Sequence, residues 1–289
     1  MGAMGAKADF HNHSTASDGR LSPTEMVDLA YRNGVRIFAL TDHDSTEGLA
    51  EASAAAARYT DFTLVPGVEL STDVEGGEVH MLGYLPEPDN PELQAALKRF
   101  REGRFERGRL MVEKLAALGK PVSWERVREI AGEASIGRPH VALAMVEAGH
   151  VATTTEAFDL YIGRNGPAYV EREKMTPVEA VRTLRRFGAS PVLAHPTFVA
   201  DLGAVLAELV PAGLVGMEVF YKAYDAETVE ALLATARRFG ILPLGGSDYH
   251  ALDRPDEREP GLTDNPLPDW AIREFLEKEL TWLKTAVPI

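Results

Sequence analysis

The sequence has 289 residues and a hydrophobic content of 45%, which suffices for one large domain or for a domain with an insertion. It contains no cysteine, and this excludes disulfides, thiolate metal sites and thiol nucleophiles. The formal net charge of −14 repels long polyanions, so we expect no binding of long duplex nucleic acid.

No apolar run in the chain approaches the roughly 20 residues that span a bilayer. The first residues, "MGAMGAK", also lack the apolar segment of a signal peptide. We therefore expect a cytoplasmic protein without a membrane partner.

Predicted strands and helices alternate from the start of the chain. The first helix is predicted over "SPTEMVDLAYRNG", with Ser22 as the N-cap, Pro23 as the first helical residue and Gly34 as the stop. Glu25 completes a capping box with Ser22. A second helix is predicted over "GLAEASAAAARY", and strands are predicted over "ADFHNH", "VRIFALTDHD", "FTLVPGVELS" and "GEVHMLGYL".

Residues 91–172 interrupt this alternation with four helical segments: "PELQAALKRFREGRFERGRLMVEKLAALG", "SWERVREIAG", "RPHVALAMVEAGH" and "TTEAFDLYIG". We interpret 91–172 as an α-helical insertion that caps the substrate site, and 1–90 with 173–289 as the main domain. The arginines between 99 and 109 alternate with Glu102 and Glu106, which favours a solvated helical face.

The alternation resumes with "TPVEAVRTLRRFG", a helix whose capping box joins Thr176 to Glu179. Two more helices are predicted around 200–210 and over "DAETVEALLATARRFG", and strands over "SPVLAHP", "GLVGMEVFY" and "ILPLGGSDYH". Strands that alternate with helices predict an α/β fold with a parallel sheet, of which a barrel is one closed form.

The histidines follow the predicted strands. His11 and His13 are two residues apart in a strand, so their side chains project to the same side, as two ligands of one ion would. Further candidates lie at or just beyond the C-terminal end of a strand, where α/β barrels assemble their sites: His43, Glu69, His80, His195, Asp248 and His250. Of the eight histidines, only His140 and His150 depart from this pattern.

With Asp18, the set comprises nine nitrogen and oxygen ligands, whereas one ion takes about four to six. We therefore predict a cluster of two or three divalent ions, and the ligand types suit Mn²⁺, Fe²⁺ or Zn²⁺. Three such ions (+6) outweigh the three carboxylates (−3), so the pocket attracts a compact phosphate even in an acidic protein.

Six motifs occur in this order: "DFHNHSTASDG", "ALTDHDS", "GVELS", "EVHMLGY", "LAHP" and "GGSDYH". In order and residue type they resemble the motifs of the PHP (polymerase and histidinol phosphatase) superfamily, over residues 9–83 and 175–250. The resemblance implies a distorted (β/α)7 barrel with a trinuclear metal centre. It gives the ligands to three metals: His11, His13, Glu69 and Asp248 to the first; Glu69, His80 and His195 to the second; Asp18, His43 and His250 to the third.

The insertion carries "IGRPH" followed by "GRNGPAYV". In this it resembles small stand-alone PHP phosphoesterases that act as 3′,5′-nucleoside bisphosphate phosphatases, some of which also trim short RNA from the 5′ end. The resemblance implies a small phosphorylated substrate, either a nucleotide or a short oligonucleotide.

The predicted reaction is hydrolysis of a phosphomonoester. Paired metals lower the pKa of a bound water, and the resulting hydroxide, held by Glu69, Asp248 and His195, attacks phosphorus in line. The sequence shows no separate nucleophile, since Ser14 and Thr15 are typical of polar turn residues.

Four side chains are candidates for binding the rest of the substrate. Arg138 lies beside a predicted helix start, which suits a second phosphate, and His140 follows it. Arg164 in "GRNG" and Lys222 after "EVFY" are similar candidates. The alternative for each of these four residues is that the side chain is exposed to solvent and does not bind substrate.

Two other functions remain open. One is hydrolysis of histidinol phosphate or another small phosphomonoester. The other is a PHP module kept as a structural domain, as seen attached to polymerases. The intact ligand set argues against the structural domain, because such a role would not require it.

Overall fold

A computed structural model describes residues 7–74, 77–132, 136–171, 175–252 and 255–283. Seven strands form one sheet in which sequence order is also spatial order. The strands are β1 (Lys7–Asp9), β2 (Val35–Leu40), β3 (Thr63–Val74), β4 (Gly77–Tyr84), β5 (Ser190–Leu193), β6 (Gly216–Tyr221) and β7 (Leu242–Gly246).

The first and last strands meet and nearly close the sheet into a barrel. The Phe10 N–H donates to the Gly245 carbonyl at 3.3 Å, and Asn12 forms a parallel bridge with Tyr249. At Gly246 an added Cβ would lie 2.5 Å from the Cβ of His11, so only glycine lets β7 approach this closely. The nearly closed seven-stranded barrel confirms the predicted fold class.

The prediction of a wholly parallel sheet is wrong for one strand. β4 runs antiparallel to both β3 and β5, whereas the other neighbouring pairs within the sheet are parallel. Only two residues separate Val74 from Gly77. A parallel crossover needs a dozen or more residues, so this connection permits only a hairpin.

Ten α-helices lie within the described residues: α1 (Pro23–Arg32), α2 (Leu49–Ala56), α3 (Pro91–Ala117), α4 (Trp124–Ala131), α5 (Arg138–Glu147), α6 (Thr154–Ala157), α7 (Pro177–Arg186), α8 (Leu202–Ala212), α9 (Ala226–Phe239) and α10 (Asp269–Lys278). The capping boxes predicted at Ser22 and Thr176 are both present. Among these helices, none combines the length and apolar character that crossing a membrane requires.

The helices α3 to α6 build a hydrophobic cluster of their own. Met111, Leu115, Val127 and Met145 are fully buried in it. The first turns of α3 pack on the barrel instead, since Leu93 is buried in the cluster around β3, β4 and α7. The described part of the insertion is therefore anchored on the barrel at the start of α3 and packs on itself further on.

The helix α10 was not predicted, and it completes a second apolar cluster. Its Phe275 is fully buried, with ring centroids 5.2 Å from both Phe10 and Tyr84. The Tyr84 hydroxyl donates to the Phe10 carbonyl at 3.0 Å. This packing fixes the residue that directly precedes His11.

Candidate metal centre

The structure brings the nine predicted ligand side chains together at one rim of the barrel. The loops after β1, β2, β5 and β7 carry seven of them, and β3 and β4 carry the other two. They are His11, His13, Asp18, His43, Glu69, His80, His195, Asp248 and His250.

The prediction that every ligand lies at or just beyond the C-terminal end of a strand is wrong for Glu69 and His80, which lie within β3 and β4. β2 ends at Leu40 opposite Pro66, and β3 then continues past the rim, paired with β4. Glu69 therefore lies at the rim although it is in the middle of its strand. His80 reaches the same rim because β4 runs in the opposite direction.

The first group surrounds the imidazoles of His11 and His13, whose Nε2 atoms are 3.0 Å apart. The His11 Nε2 is 3.4 Å from Glu69 Oε2 and 3.2 Å from Asp248 Oδ1. The His13 Nε2 is 3.2 Å from each of the same two oxygens. Ligand atoms at about 2.0–2.1 Å from one tetrahedral ion lie about 3.3 Å from one another, so this spacing suits four ligands of one cation.

The second group uses the other oxygen of the Glu69 carboxylate. Glu69 Oε1 is 2.9 Å from His80 Nδ1 and 3.2 Å from His195 Nε2. Because its two oxygens face different groups of histidines, Glu69 is placed to bridge two cations.

The third group lies around Asp18. His250 Nε2 is 3.3 Å from Asp18 Oδ1, and His43 Nε2 is 3.9 Å from Asp18 Oδ2. The ring of His250 stacks on that of His13, with centroids 4.0 Å apart, so this group adjoins the first. His43 also reaches Glu69, with its Nδ1 3.0 Å from Oε2.

Three buried atoms of the cluster make no hydrogen bond within the part of the chain that the structure describes: Asp18 Oδ1, His43 Nδ1 and Glu69 Oε2. A buried carboxylate oxygen without a hydrogen-bond donor is costly, and such atoms are few in folded proteins. Each of these atoms is a metal-ligand type directed at other ligand atoms. The residues present therefore fit a group of bound divalent cations.

The carboxylates of the cluster are strongly acidic. Burial by itself would raise the pKa of Glu69, but His43, His11 and His80 outweigh it and hold that pKa well below its usual range. The same balance lowers the pKa of Asp18, through His43 and His250, and that of Asp248, chiefly through Lys222. Three ionised carboxylates therefore face the histidines at neutral pH.

The histidines respond to these charges in different ways. Burial would lower the pKa of His13, but the nearby carboxylates of Asp248 and Glu69 raise it to about 9. For His43 burial dominates and lowers the pKa to about 4. Without a cation, the metal-free protein thus holds a proton on His13 and leaves His43 neutral at pH 7.

This difference predicts how the stability of the metal-free protein depends on pH. The pKa of His13 is about 9 in the folded state against an ordinary 6.5, so its stabilisation is complete below pH 6.5 and is lost as pH rises through 9. In chelator-treated protein we expect Tm to fall by several degrees over this interval, since one pKa unit is worth about 1.4 kcal/mol and 1 kcal/mol about 2–4 °C. Calorimetry of His13→Gln should give a flatter profile, and identical profiles would contradict the assignment.

Two carboxylates behind the ligands were missed in the sequence. Asp42 accepts hydrogen bonds from the Ser14 N–H (2.8 Å), the Ser14 hydroxyl (2.7 Å) and the Ser17 hydroxyl (2.6 Å), which fixes the loop carrying His13. Ser14 also has the turn role predicted for it, since its carbonyl accepts the N–H groups of Ser17 and Gly19, both at 3.0 Å. Glu218 lies beside His11 and His195. The sequence signal for Glu218 was an acidic residue inside the apolar strand "GMEVFY".

The arginines of α3 are not all solvated, contrary to the sequence interpretation. The Arg104 side chain is 11% exposed, and its Nε donates to Asp44 Oδ2 at 2.5 Å. Arg101 donates to the Asp44 carbonyl at 3.2 Å. Positions three apart share one helix face, and this face of α3 packs on the loop that follows His43. Only the docking of α3 reveals this, because the charge pattern alone resembles a solvated helix.

The four predicted substrate residues fall in different surroundings. Arg138 begins α5, with its guanidinium 5.3 Å from the ring centroid of Phe158. His140 is buried, and its Nδ1 accepts from the Gly137 N–H at 2.9 Å. Lys222 Nζ is 2.9 Å from Asp248 Oδ2, which also accepts from the Tyr221 hydroxyl at 2.6 Å. Arg164 is 3.9 Å from Glu171.

This chain is similar in sequence to members of a known protein family. A family model described as PHP domain matches residues 9–137. The 3′,5′-nucleoside bisphosphate phosphatase of Chromobacterium violaceum is 36% identical over 252 residues, which covers 85% of this chain and 88% of that protein. A 5′-3′ exoribonuclease of Haemophilus influenzae is 33% identical over 251 residues, which covers 86% of this chain and 91% of that protein.

A solved structure of an amidohydrolase from Chromobacterium violaceum, with bound sulfate and no metal, has a TM-score of 0.86 and 33% identity to this chain. The match covers 98% of this chain and 99% of that one. The barrel and its ligand cluster define a hydrolase, a metal-dependent phosphoesterase. The chain belongs to the PHP family.

Proposed function

We propose that this protein hydrolyses a phosphomonoester of a small nucleotide, with a nucleoside 3′,5′-bisphosphate as the preferred substrate. The 5′ end of a short RNA presents similar chemistry and is the second candidate. The observation that carries the proposal is the ligand cluster lying beside the start of α5. An added Cβ at Gly137 would be 3.9 Å from Asp18 Oδ2, so the helix that begins with Arg138 borders the third ligand group.

The cluster supplies the hydrolytic half of this function. We assign two or three divalent cations to it, of Mn, Fe or Zn, held by the nine side chains in the three groups described above. When bound, such cations lower the pKa of water and offset negative charge on phosphoryl oxygens. Glu69, Asp248 and His195 are assigned to holding the attacking water in line with phosphorus through the cations that they would bind.

Strained backbone supports this assignment. His195, Lys222 and Asp248 have φ values of 31°, 36° and 46°, in the left-handed region that non-glycine residues seldom adopt. Such conformations persist where the surrounding structure enforces them, and they concentrate at functional sites. Lys222 is assigned a supporting role through Asp248, whose Oδ2 lies 2.9 Å from its Nζ, and it is kept as a candidate phosphate contact.

The start of α5 supplies the substrate-binding half. The N-terminal N–H groups of a helix and an arginine together suit a phosphate dianion. The contact with Phe158 orients the guanidinium of Arg138. His140 lies between this helix and the metal loops: its Nδ1 accepts from the Gly137 N–H, and burial lowers its pKa against the opposing influence of the nearby Asp18 carboxylate. Arg164 is kept as a further phosphate contact, on the segment that packs beside α5.

The test is phosphate release from adenosine 3′,5′-bisphosphate by protein loaded with Mn²⁺, compared with histidinol phosphate and with a 5′-phosphorylated tetranucleotide. We expect kcat/KM to be highest for the bisphosphate, because the second phosphate gains the contacts at α5. The proposal would be contradicted if histidinol phosphate were hydrolysed with a higher kcat/KM than both nucleotides. Metal content measured on the same sample separates an inactive protein from an unloaded one.

A further inference from the structure

Glu218 of β6 is a buried carboxylate that contacts two of the proposed metal ligands without joining the cluster itself. Its side chain is 1% exposed. Oε1 lies 3.0 Å from His11 Nδ1, and Oε2 accepts the backbone N–H of His195 at 2.7 Å. Both oxygens are thus engaged by groups that belong to different ligand positions.

We infer that Glu218 is a positioning residue that sets the tautomer of His11 and the backbone of His195, and thereby the affinity of the site for its cations. The inference rests on the proposed function insofar as it takes His11 and His195 as metal ligands. It adds a residue that contacts neither metal nor substrate.

The role of Glu218 at His11 follows from the two nitrogens of the imidazole ring. A neutral imidazole carries one proton, so its other nitrogen is the ligand. With the proton on Nδ1 and donated to Glu218, the lone pair of Nε2 faces Glu69 Oε2 at 3.4 Å and Asp248 Oδ1 at 3.2 Å. A carboxylate behind a ligand histidine fixes the ring orientation and makes the ligand more basic.

The case at His195 concerns the main chain. This residue has φ 31° and ψ 62° and directly precedes Pro196, and the residue before a proline favours extended conformations. A bond from its N–H to a buried carboxylate holds it in this unusual conformation. The side chain can then reach Glu69 Oε1, 3.2 Å away.

Glutamine cannot replace Glu218 at both contacts. His11 and His195 each present an N–H, so two acceptors are required, and a carboxylate has two. An amide offers one oxygen and turns its NH₂ toward the other donor. Glu218→Gln therefore keeps the shape of the side chain and removes one of the two hydrogen bonds.

The experiment measures metal affinity directly. Zn²⁺ is titrated into metal-free wild type, Glu218→Gln and Glu279→Gln in competition with a chromophoric chelator, and Tm of each metal-free protein is recorded. The control is matched because Glu279 is also a carboxylate with two partners, Ser190 and Arg185, away from the cluster. We expect about 10- to 100-fold weaker binding for Glu218→Gln, with the affinity of Glu279→Gln unchanged. Equal affinity of all three overturns the inference.

A measurement on wild type covers the case in which Glu218→Gln does not fold. In ¹⁵N-histidine-labelled, Zn²⁺-loaded protein, the His11 resonances, assigned by comparison with His11→Gln, should show a protonated Nδ1 and an unprotonated Nε2. A proton on Nε2 would overturn the inference. Neither readout uses a phosphate ester, so absence of nucleotide hydrolysis would refute the proposed function and leave this result standing.

Discussion

Replacing Glu69 by glutamine is expected to lower the metal content of the cluster and to lower kcat/KM for phosphate release by at least about 10³-fold, because bound metal supplies several kcal/mol of transition-state stabilisation. Both oxygens of this one carboxylate meet histidine nitrogens. Oε1 faces His80 at 2.9 Å and His195 at 3.2 Å, and Oε2 faces His43 at 3.0 Å. His11 and His13 approach Oε2 as well, at 3.4 Å and 3.2 Å.

The expected loss follows from charge rather than from shape. Glutamine has nearly the volume of glutamate, so the 1% exposed position is not emptied. The neighbouring histidines hold the pKa of Glu69 well below its usual range, so the wild-type carboxylate is ionised at neutral pH. Glutamine removes that charge, and its NH₂ has no lone pair for a cation. One of the two ligand groups that share Glu69 therefore loses an oxygen.

Metal content per chain and kcat/KM with excess Mn²⁺ are the measurements. Glu279→Gln is the control, because its carboxylate contacts Ser190 and Arg185 and no residue of the cluster. Circular dichroism of the metal-free proteins checks that both variants fold. Full metal content in Glu69→Gln together with activity near that of wild type would refute the bridging role.

The sequence was informative about the ligands because their signals are local. Alternation in a strand places His11 and His13 on one side, and the structure puts their Nε2 atoms 3.0 Å apart. The capping boxes at Ser22 and Thr176 involve residues three apart, and both formed as predicted. Such features need no knowledge of what packs against them.

Other features depend on partners far away in the chain. The direction of β4 follows from the short link to β3, a signal that was present and not used. The pairing of Arg104 with Asp44 spans 60 residues and arises only when α3 docks on the rim. Glu218 contacts His11 across 207 residues. An acidic residue inside an apolar strand predicts a buried hydrogen-bonding partner. The identity of that partner depends on how the barrel closes and cannot be read from the strand alone.

Removing the Arg138 side chain is expected to reduce kcat/KM for adenosine 3′,5′-bisphosphate about 100-fold while changing that for p-nitrophenyl phosphate by less than about threefold. A charge-assisted hydrogen bond to phosphate is worth about 1.5–3 kcal/mol, or roughly 10- to 150-fold. The aryl phosphate has no second phosphate, so it loses nothing at α5. Both substrates use the ligand cluster in the same way, and the ratio of the two losses therefore isolates the contact.

Arg126→Ala is the matched control for Arg138→Ala. Arg126 lies on α4 of the same insertion, and its guanidinium pairs with Glu129 and Glu147 at the surface. Arg138→Lys adds a graded test: a lysine keeps the charge and loses the planar fork, so its activity on the bisphosphate should fall between those of wild type and alanine. Equal losses of Arg138→Ala on both substrates would remove this residue from substrate binding. They would place its effect in the packing of α5 against the metal loops, where Gly137 borders Asp18.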